Sequence, residues 1–319
     1  MNDSLRKGRK KSELEWWKNH IKQLISKDNI VTAADLPVDG SIIYKKDLWT
    51  LKKLIIYKYY IDIYTRVISK HKEIYYYFDL FSGNGLVEIN NENLKPFRVF
   101  GSALLSVLYS NHPFAKYIYV DNDEKRINAL NSLLSFIKAK YNNQLNYECI
   151  NADMNEIDRY RKMLEESEHS LVVIDPEGLE PNWATIKEIL SYKCDVIITF
   201  MSNGIARVLG KAKSNQADKN TLERFCGSPI KEIDNISDLE NKYIEQIKQV
   251  GNKEAYKTVD ISTKKFEYDI IIAAKKTKGN NPWLDAIDEL KIRLEIDDNS
   301  LISIIRQLQG TQSNIETFF

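Results

Sequence analysis

The sequence predicts an α/β protein: a doubly wound, mostly parallel sheet of Rossmann-like type, with an N-terminal helical extension, a helical insertion after the fifth strand and a C-terminal helical tail. Three observations carry this expectation. From Glu73 onward, short β-branched and aromatic runs alternate with amphipathic stretches, the pattern of right-handed βαβ crossovers. The first of these runs ends in an acid followed by a glycine-rich turn, Asp79-Leu80-Phe81-Ser82-Gly83-Asn84-Gly85. Two later runs also end in acids, Asp121 and Asp175, so polar groups collect at the carboxyl ends of strands, where open parallel sheets hold ligands.

Residues 1–70 form the helical extension. Ser12-Glu13-Leu14-Glu15 reads as a capping box, and Leu14, Trp17, Ile21 and Leu24 follow at helical spacing. Upstream, Arg6-Lys7-Gly8-Arg9-Lys10-Lys11 is a basic run, either a solvated terminus or an arm that meets phosphates. After a loop through Leu36-Pro37-Val38-Asp39-Gly40, a second helix is expected from about Asp47 to Lys70. Its stripe of Trp49, Leu54, Tyr57, Ile61 and Tyr64 suits a core face, with a base-stacking platform as the alternative.

The sheet core is expected over 71–203. Strands read at Ile74 to Leu80, Lys116 to Asp121, Tyr147 to Ile150, Ser170 to Asp175 and Asp195 to Phe200. Helices read at Gly101 to Ser110, Glu124 to Lys140 and near Trp183 to Leu190. Residues 204–252 are polar with helical pattern around Thr221 to Phe225 and Tyr243 to Val250, and read as an inserted cap. Ala255 to Ile261 and Phe266 to Ala274 suit antiparallel strands closing the core within 253–280. A helical tail occupies 281–319, chiefly Pro282 to Gln309.

Composition excludes several classes. The 319 residues carry 46 Lys+Arg against 45 Asp+Glu, a net charge of +1, so binding of polyanions through bulk charge is excluded and any nucleic-acid site must be a local patch. Cys149, Cys194 and Cys226 are widely spaced and the four histidines are scattered, which gives neither a disulfide framework nor metal-ligand spacing; no metal is expected. The first residues lack the apolar core of a secretion signal. The apolar stretch from Leu54 to Ile68 is broken by Lys58, Asp62 and Arg66 and is too short to span a bilayer. The expectation is a cytoplasmic protein that does not contact membrane.

The chemistry concentrates at strand ends. Glycines such as Gly83 and Gly85 let a ligand approach the backbone closely. Asp79 beside them repels a phosphate but attracts an amine, which favours S-adenosylmethionine, with its cationic amino-acid end, over a dinucleotide; Phe81 and Ser82 belong to the same turn. A purely structural turn is the alternative. Asp121, followed by Asn122, can accept both ribose hydroxyls, while Asp123 suits the N-cap of the next helix. The long separation of Asp79 from Asp121 is accommodated if Leu86 to Phe100 is a loop. Asp153, after the third strand, can meet adenine or simply close a turn. Asp175-Pro176-Glu177-Gly178 is similar to the D/N-P-P-F/Y element of amino-methyltransferases, in which a side-chain oxygen and a backbone carbonyl hold the target amine. Glu177 and Gly178 leave that element without its aromatic. Trp183 could supply a stacking face or anchor its helix in the core. Asn203 can line the substrate mouth or cap a helix, and Arg207, Lys211 and Lys213 can meet phosphates.

Together these residues resemble the three-Cys-motif partner proteins, the TcmP family, whose sequences read D-x-F-A-G-P-G, G-S-P, F-I-E/D, I-D-P-F-G and an N-F-M-x-N-like run. Here the matching segments are Asp79 to Gly85, Gly101-Ser102-Ala103, Tyr119-Val120-Asp121, Ile174 to Gly178 and Thr199-Phe200-Met201-Ser202-Asn203. Trp49-Thr50-Leu51-Lys52-Lys53 looks like the family's W-x-x-K-K segment. The likeness covers about 45–295 and departs at Asn84, Ala103 and Glu177, where proline, proline and phenylalanine are expected. The resemblance implies a class I S-adenosylmethionine-dependent methyltransferase fold and pairing with a three-cysteine-motif protein that resembles a radical-SAM enzyme. Two functions follow. One is N-methylation of an exocyclic amino group in nucleic acid, with Asp175, Pro176 and Glu177 catalytic. The other is an inactive binding module that senses a nucleotide or docks a partner, suggested by Glu177, which as a buried carboxylate beside Asp175 would repel its neighbour. A hydrolase holding Mg²⁺ between Asp79, Asp121 and Asp175 is a third possibility, against which the glycine turn argues.

Overall fold

The computed structural model describes residues 3–28, 30–212, 214–229, 233, 235–250, 253, 255–262, 267–278 and 281–310. The side chains of the basic run at 6–11, together with Lys213 and Phe266, lie outside the described residues.

The chain opens with α1 (Asp3–Ile25), a small ribbon of β1 (Ser26–Lys27) and β2 (Val31–Thr32), then β3 (Tyr44–Lys46) and α2 (Trp49–Ile68). The core follows as β4 (Tyr75–Asp79), β5 (Leu86–Ile89), β6 (Phe97–Phe100), α3 (Ser102–Tyr109), β7 (Lys116–Asp121), α4 (Glu124–Lys140), β8 (Tyr147–Asn151), α5 (Arg161–Glu166), β9 (His169–Ile174), α6 (Trp183–Ser191) and β10 (Cys194–Phe200). It ends with α7 (Ser202–Ala212), α8 (Gln216–Cys226), α9 (Ile236–Gln249), β11 (Ala255–Ser262), β12 (Glu267–Ala274), α10 (Asp285–Arg293) and α11 (Asp298–Leu308).

Seven strands form one sheet in the order β11-β12-β10-β9-β4-β7-β8. Pairing is parallel from β8 through β10 and antiparallel at β12 and β11. This is the expected Rossmann-like, doubly wound α/β fold. The winding direction reverses between β4 and β9, which makes their carboxyl ends the switch point where such sheets bind ligands.

Both faces of the sheet are buried, so its strands read as near-continuous apolar runs. Period-two alternation splits their side chains. Tyr77, Tyr119, Val173 and Ile272 join one core with Trp17, Leu54, Leu104, Leu130, Ile287 and Leu301 of α1–α4, α10 and α11. Phe78, Val120, Val172 and Ile271 join the other with Leu164, Ile186, Leu209, Phe225 and Tyr243 of α5–α9.

Three expectations change. Helix α1 starts at Asp3 and runs through Ser12, so the capping box does not operate there. A single interior glycine, Gly8, costs only about 1 kcal/mol and does not stop a helix whose second half is anchored by Trp17, Ile21 and Leu24. Residues 86–100 are not a loop: β5 and β6 pair as a hairpin, and β3 adds beside β5 in parallel. Burial of Leu86, Ile89, Val99 and Phe100 drives that pairing. The segment expected as a cap, 204–252, forms the helical layer of the second face: Phe225 stacks on Tyr243 with ring centroids 5.2 Å apart, and both pack on Phe200. The helical tail consists of two helices, tied back to the N-terminal extension where Trp17 Nε1 donates to the Arg293 carbonyl at 3.0 Å. No described helix is long and apolar enough to cross a membrane.

Candidate functional site

At the switch point a cleft of about 910 Å³ opens over the carboxyl ends of β4, β7, β8, β9 and β10. That is the upper end of the range for small-molecule sites, roughly 300–1,000 Å³. The structure brings to its wall Phe81, Ser82, Gly83, Gly85, Asp121, Asn122, Asp153, Asp175, Pro176, Glu177, Asn203 and Arg207, drawn from five separate strand ends. Local sequence explains the convergence: each strand is an apolar run that stops where a polar residue can leave the sheet.

The glycine turn after β4 is built by side chains. Asp121 Oδ2 accepts from the Gly83 N–H at 2.8 Å, and Oδ1 accepts from the Asp123 N–H at 2.9 Å. Each carboxylate oxygen keeps further acceptor capacity. Burial raises the Asp121 carboxyl pKa, while those two N–H groups and Arg126 act against the rise. Asp123 caps α4 as expected, accepting from the Lys125 and Arg126 N–H groups. Asn84, where the family resemblance expects proline, ties the turn instead: Nδ2 donates to the Ile42 carbonyl and Oδ1 accepts from the Leu86 N–H, both at 2.9 Å.

Gly83 (φ +58°) and Gly85 (φ +83°) occupy the left-handed region. A Cβ on Gly85 would stand 2.9 Å from Leu130 Cδ1 and 3.2 Å from Leu104 Cγ, inside the packed core. Gly85→Ala therefore lowers unfolding free energy by roughly 2–3 kcal/mol, from left-handed strain plus overpacking. Urea denaturation measures this, and a loss below about 0.5 kcal/mol would show that the turn relaxes freely.

Asp79 is fully buried at the end of β4. Its Oδ1 accepts from the Phe81 N–H at 3.3 Å. Its Oδ2 has no hydrogen-bond partner among the described residues. Burial pushes its pKa up to about 7; Asp175 and Asp121 push the same way, and Ser102 and the Phe81 N–H oppose. A buried carboxylate oxygen without a donor is costly unless a ligand supplies one.

On the opposite side the N-terminal extension contributes lysines that local sequence patterns did not single out as site residues, and Trp49 of the α2 stripe. Lys53 Nζ lies 2.9 and 2.6 Å from the two oxygens of Asp175. Lys46 Nζ lies 2.7 Å from Glu177 Oε1. The Glu177 side chain is 54% exposed, so the expectation of a buried acid repelling Asp175 is corrected: each acid has its own lysine. Trp49, packed on Tyr268 with centroids 5.0 Å apart, lines the cleft, as does Tyr44. The Arg126 guanidinium stacks 3.6 Å from the Tyr44 ring centroid and also donates to its hydroxyl.

Trp183 is not in the cleft wall. It is buried in the second-face core against Tyr243, with centroids 5.1 Å apart, and beside Gly227, where a Cβ would come within 2.1 Å of its ring. Its place at the start of α6, whose apolar face meets the sheet, makes it a core anchor and corrects the stacking expectation. Aromatic surface in the cleft comes from Tyr44, Trp49, Phe81 and Tyr268. Among the described residues no group of three or more His, Cys, Asp or Glu side chains is placed to hold a metal ion, so Asp79, Asp121 and Asp175 do not form the magnesium set that the hydrolase alternative requires.

No family model and no curated protein matches the chain, so the resemblance to three-Cys-motif partner proteins rests on the residues quoted above. Among solved structures the chain is similar to a Legionella pneumophila protein, with TM-score 0.46 and 11% identity over 76% of this chain and 92% of that one. It is also similar to the methyltransferase domain of bacterial CtHen1, with TM-score 0.39 and 11% identity over 71% and 99%. A third is Trm1 from Pyrococcus horikoshii in complex with S-adenosyl-L-methionine, with TM-score 0.39 and 10% identity over 71% and 57%. Likeness at this level leaves the functional reading to the cleft itself.

Proposed function

We propose that this chain is an S-adenosylmethionine-dependent methyltransferase that acts on an exocyclic amino group in nucleic acid. One observation carries the reading: a left-handed glycine turn and a ribose-compatible carboxylate line one cleft with Asp175-Pro176, and the strand leading into that turn ends in Asp79, a buried acid with an unsatisfied oxygen that lies outside the cleft lining. The residues present fit this cofactor. The free oxygen of Asp79 suits its ammonium, the Gly83–Gly85 turn admits its chain, Asp121 has acceptor capacity for its ribose hydroxyls, and Asp153 stands on the same wall for adenine.

When bound, the cofactor would supply an electrophilic methyl group on a sulfonium, and the acceptor nitrogen would take that methyl and release its proton to solvent. The chain's part is positioning and water exclusion. Asp175 and the Pro176 carbonyl accept N–H bonds from the acceptor. Tyr44 and Trp49 offer faces for a base, and the exposed Arg207 offers a cation for phosphate at the rim. Docking of a three-cysteine-motif partner protein belongs to the same proposal.

A second reading, a binding module without catalysis, has its own support: Lys53 already occupies both oxygens of Asp175. Calorimetry with S-adenosylmethionine separates these from a bare scaffold. The wild type binds, and Asp121→Ala binds about tenfold or more weakly, because one carboxylate holds both the glycine turn and the ribose. Absence of binding at millimolar cofactor would remove both readings. Transfer of label from S-adenosylmethionine to mixed tRNA, rRNA and DNA then supports the enzyme, and tight binding with no transfer supports the module.

A further inference from the structure

Lys53 stands between the two halves of the cleft. Its side chain is 11% exposed, less than Lys46 (27%) or Lys45 (63%), the other lysines of the wall. Its ammonium sits 5.6 Å from the Trp49 ring centroid and 6.0 Å from that of Tyr57, so aromatic faces line its position. Its neighbour Lys52 is turned away and donates to the Ile296 carbonyl at 3.1 Å. Asp79 ends β4 in register with Val173 of β9, two residues before Asp175, the partner of Lys53. The half-buried lysine therefore reaches, through Asp175, the strand beside the one that Asp79 ends. A ligand with both an ammonium and a carboxylate on one carbon needs such a juxtaposition, because its carboxylate would otherwise face Asp79 and Asp175 uncompensated.

We propose that Lys53 is a positioning residue with two alternative partners. It neutralises Asp175 in the ligand-free cleft and pairs with the carboxylate of the cofactor's amino-acid end when that is bound, which leaves the oxygens of Asp175 to accept N–H bonds from the acceptor amine. This rests on the function proposed above and adds an order to it: the cofactor binds first, and the acceptor site is complete only afterwards. The physical device is the exchange of one salt bridge for another at a single ammonium, so the apparent cofactor affinity is reduced by the fraction of time Lys53 spends on Asp175.

The test is calorimetric titration of the full chain with S-adenosylhomocysteine and with 5′-methylthioadenosine, a neutral thioether nucleoside that lacks the amino-acid end. Lys53→Met weakens S-adenosylhomocysteine about tenfold or more, the loss of one charge-assisted hydrogen bond, and leaves methylthioadenosine within about twofold. Lys53→Arg restores most of the loss. Asp175→Asn tightens S-adenosylhomocysteine by about two- to fivefold, because Lys53 is released from its competing partner. Thermal melts without ligand show whether each variant folds; if Lys53→Met does not, the Lys53→Arg and Asp175→Asn titrations decide. Equal loss of both ligands in Lys53→Met, loss of neither, or weakening by Asp175→Asn overturns the role of Lys53. A wild type that binds neither ligand overturns the cofactor reading itself, a separate failure.

Discussion

Asp79→Asn stabilises the ligand-free protein at pH 8 and weakens its hold on S-adenosylmethionine. Both effects come from one buried carboxyl. Burial, the largest cause, raises its pKa to about 7, whereas the unfolded chain releases the same proton near 3.8. Between those values the folded protein binds the extra proton, so stability from the protonated carboxyl is full below about pH 4 and is lost as pH rises through 7. The ceiling on that loss is about 4 kcal/mol, from roughly three pKa units at 1.36 kcal/mol each. Asparagine does not ionise and avoids it. Urea unfolding at pH 5 and pH 8 therefore shows the variant gaining roughly 2–3 kcal/mol on the wild type between the two, the share of that loss that falls between pH 5 and pH 7. Calorimetry shows cofactor affinity falling about tenfold in the variant, and falling in the wild type as pH drops from 8 to 6, because the carboxylate must be charged to meet an ammonium. Parallel pH profiles for the two proteins would show that Asp79 titrates like an exposed acid and that its unsatisfied oxygen is not a ligand site.

Asp175→Ala lowers methyl transfer by about 10²–10³-fold while cofactor binding is retained, because it removes the oxygens that aim the acceptor nitrogen. Asp175→Asn falls between, since its carboxamide keeps one acceptor oxygen. Label transfer to mixed RNA and DNA reads the first effect and calorimetry the second. If Asp175→Ala matches the wild type in transfer, the acceptor is held elsewhere and the Asp-Pro segment is only a turn. In the ligand-free cleft Lys53 sits on both oxygens of Asp175, so transfer requires that pair to open.

Much of this cleft was legible beforehand, and the legible parts share a cause. Strand ends at Asp79 and Asp121 and the cap at Asp123 are set by contacts within a few residues: an apolar run, a polar stop, a side chain reaching the next free amide. Where two elements compete for the same segment, local pattern misled. Leu86–Ile89 and Phe97–Phe100 passed for loop because each is short; only pairing with each other and with Tyr44–Lys46 makes them strands. Trp183 carried the composition of a stacking residue, but the position of Tyr243, sixty residues later in the chain, buries it.

Periodicity and strand-end chemistry, read from the chain alone, establish a doubly wound sheet with acids and glycines at one edge, because hydrogen-bond geometry imposes those patterns on neighbouring residues. Which long side chains complete the cleft is settled only once the chain is folded. Lys53 meets Asp175 across 122 positions and Lys46 meets Glu177 across 131. A flexible ammonium bears no local mark of its partner; it pairs with whichever carboxylate the packing of a distant helix leaves within reach.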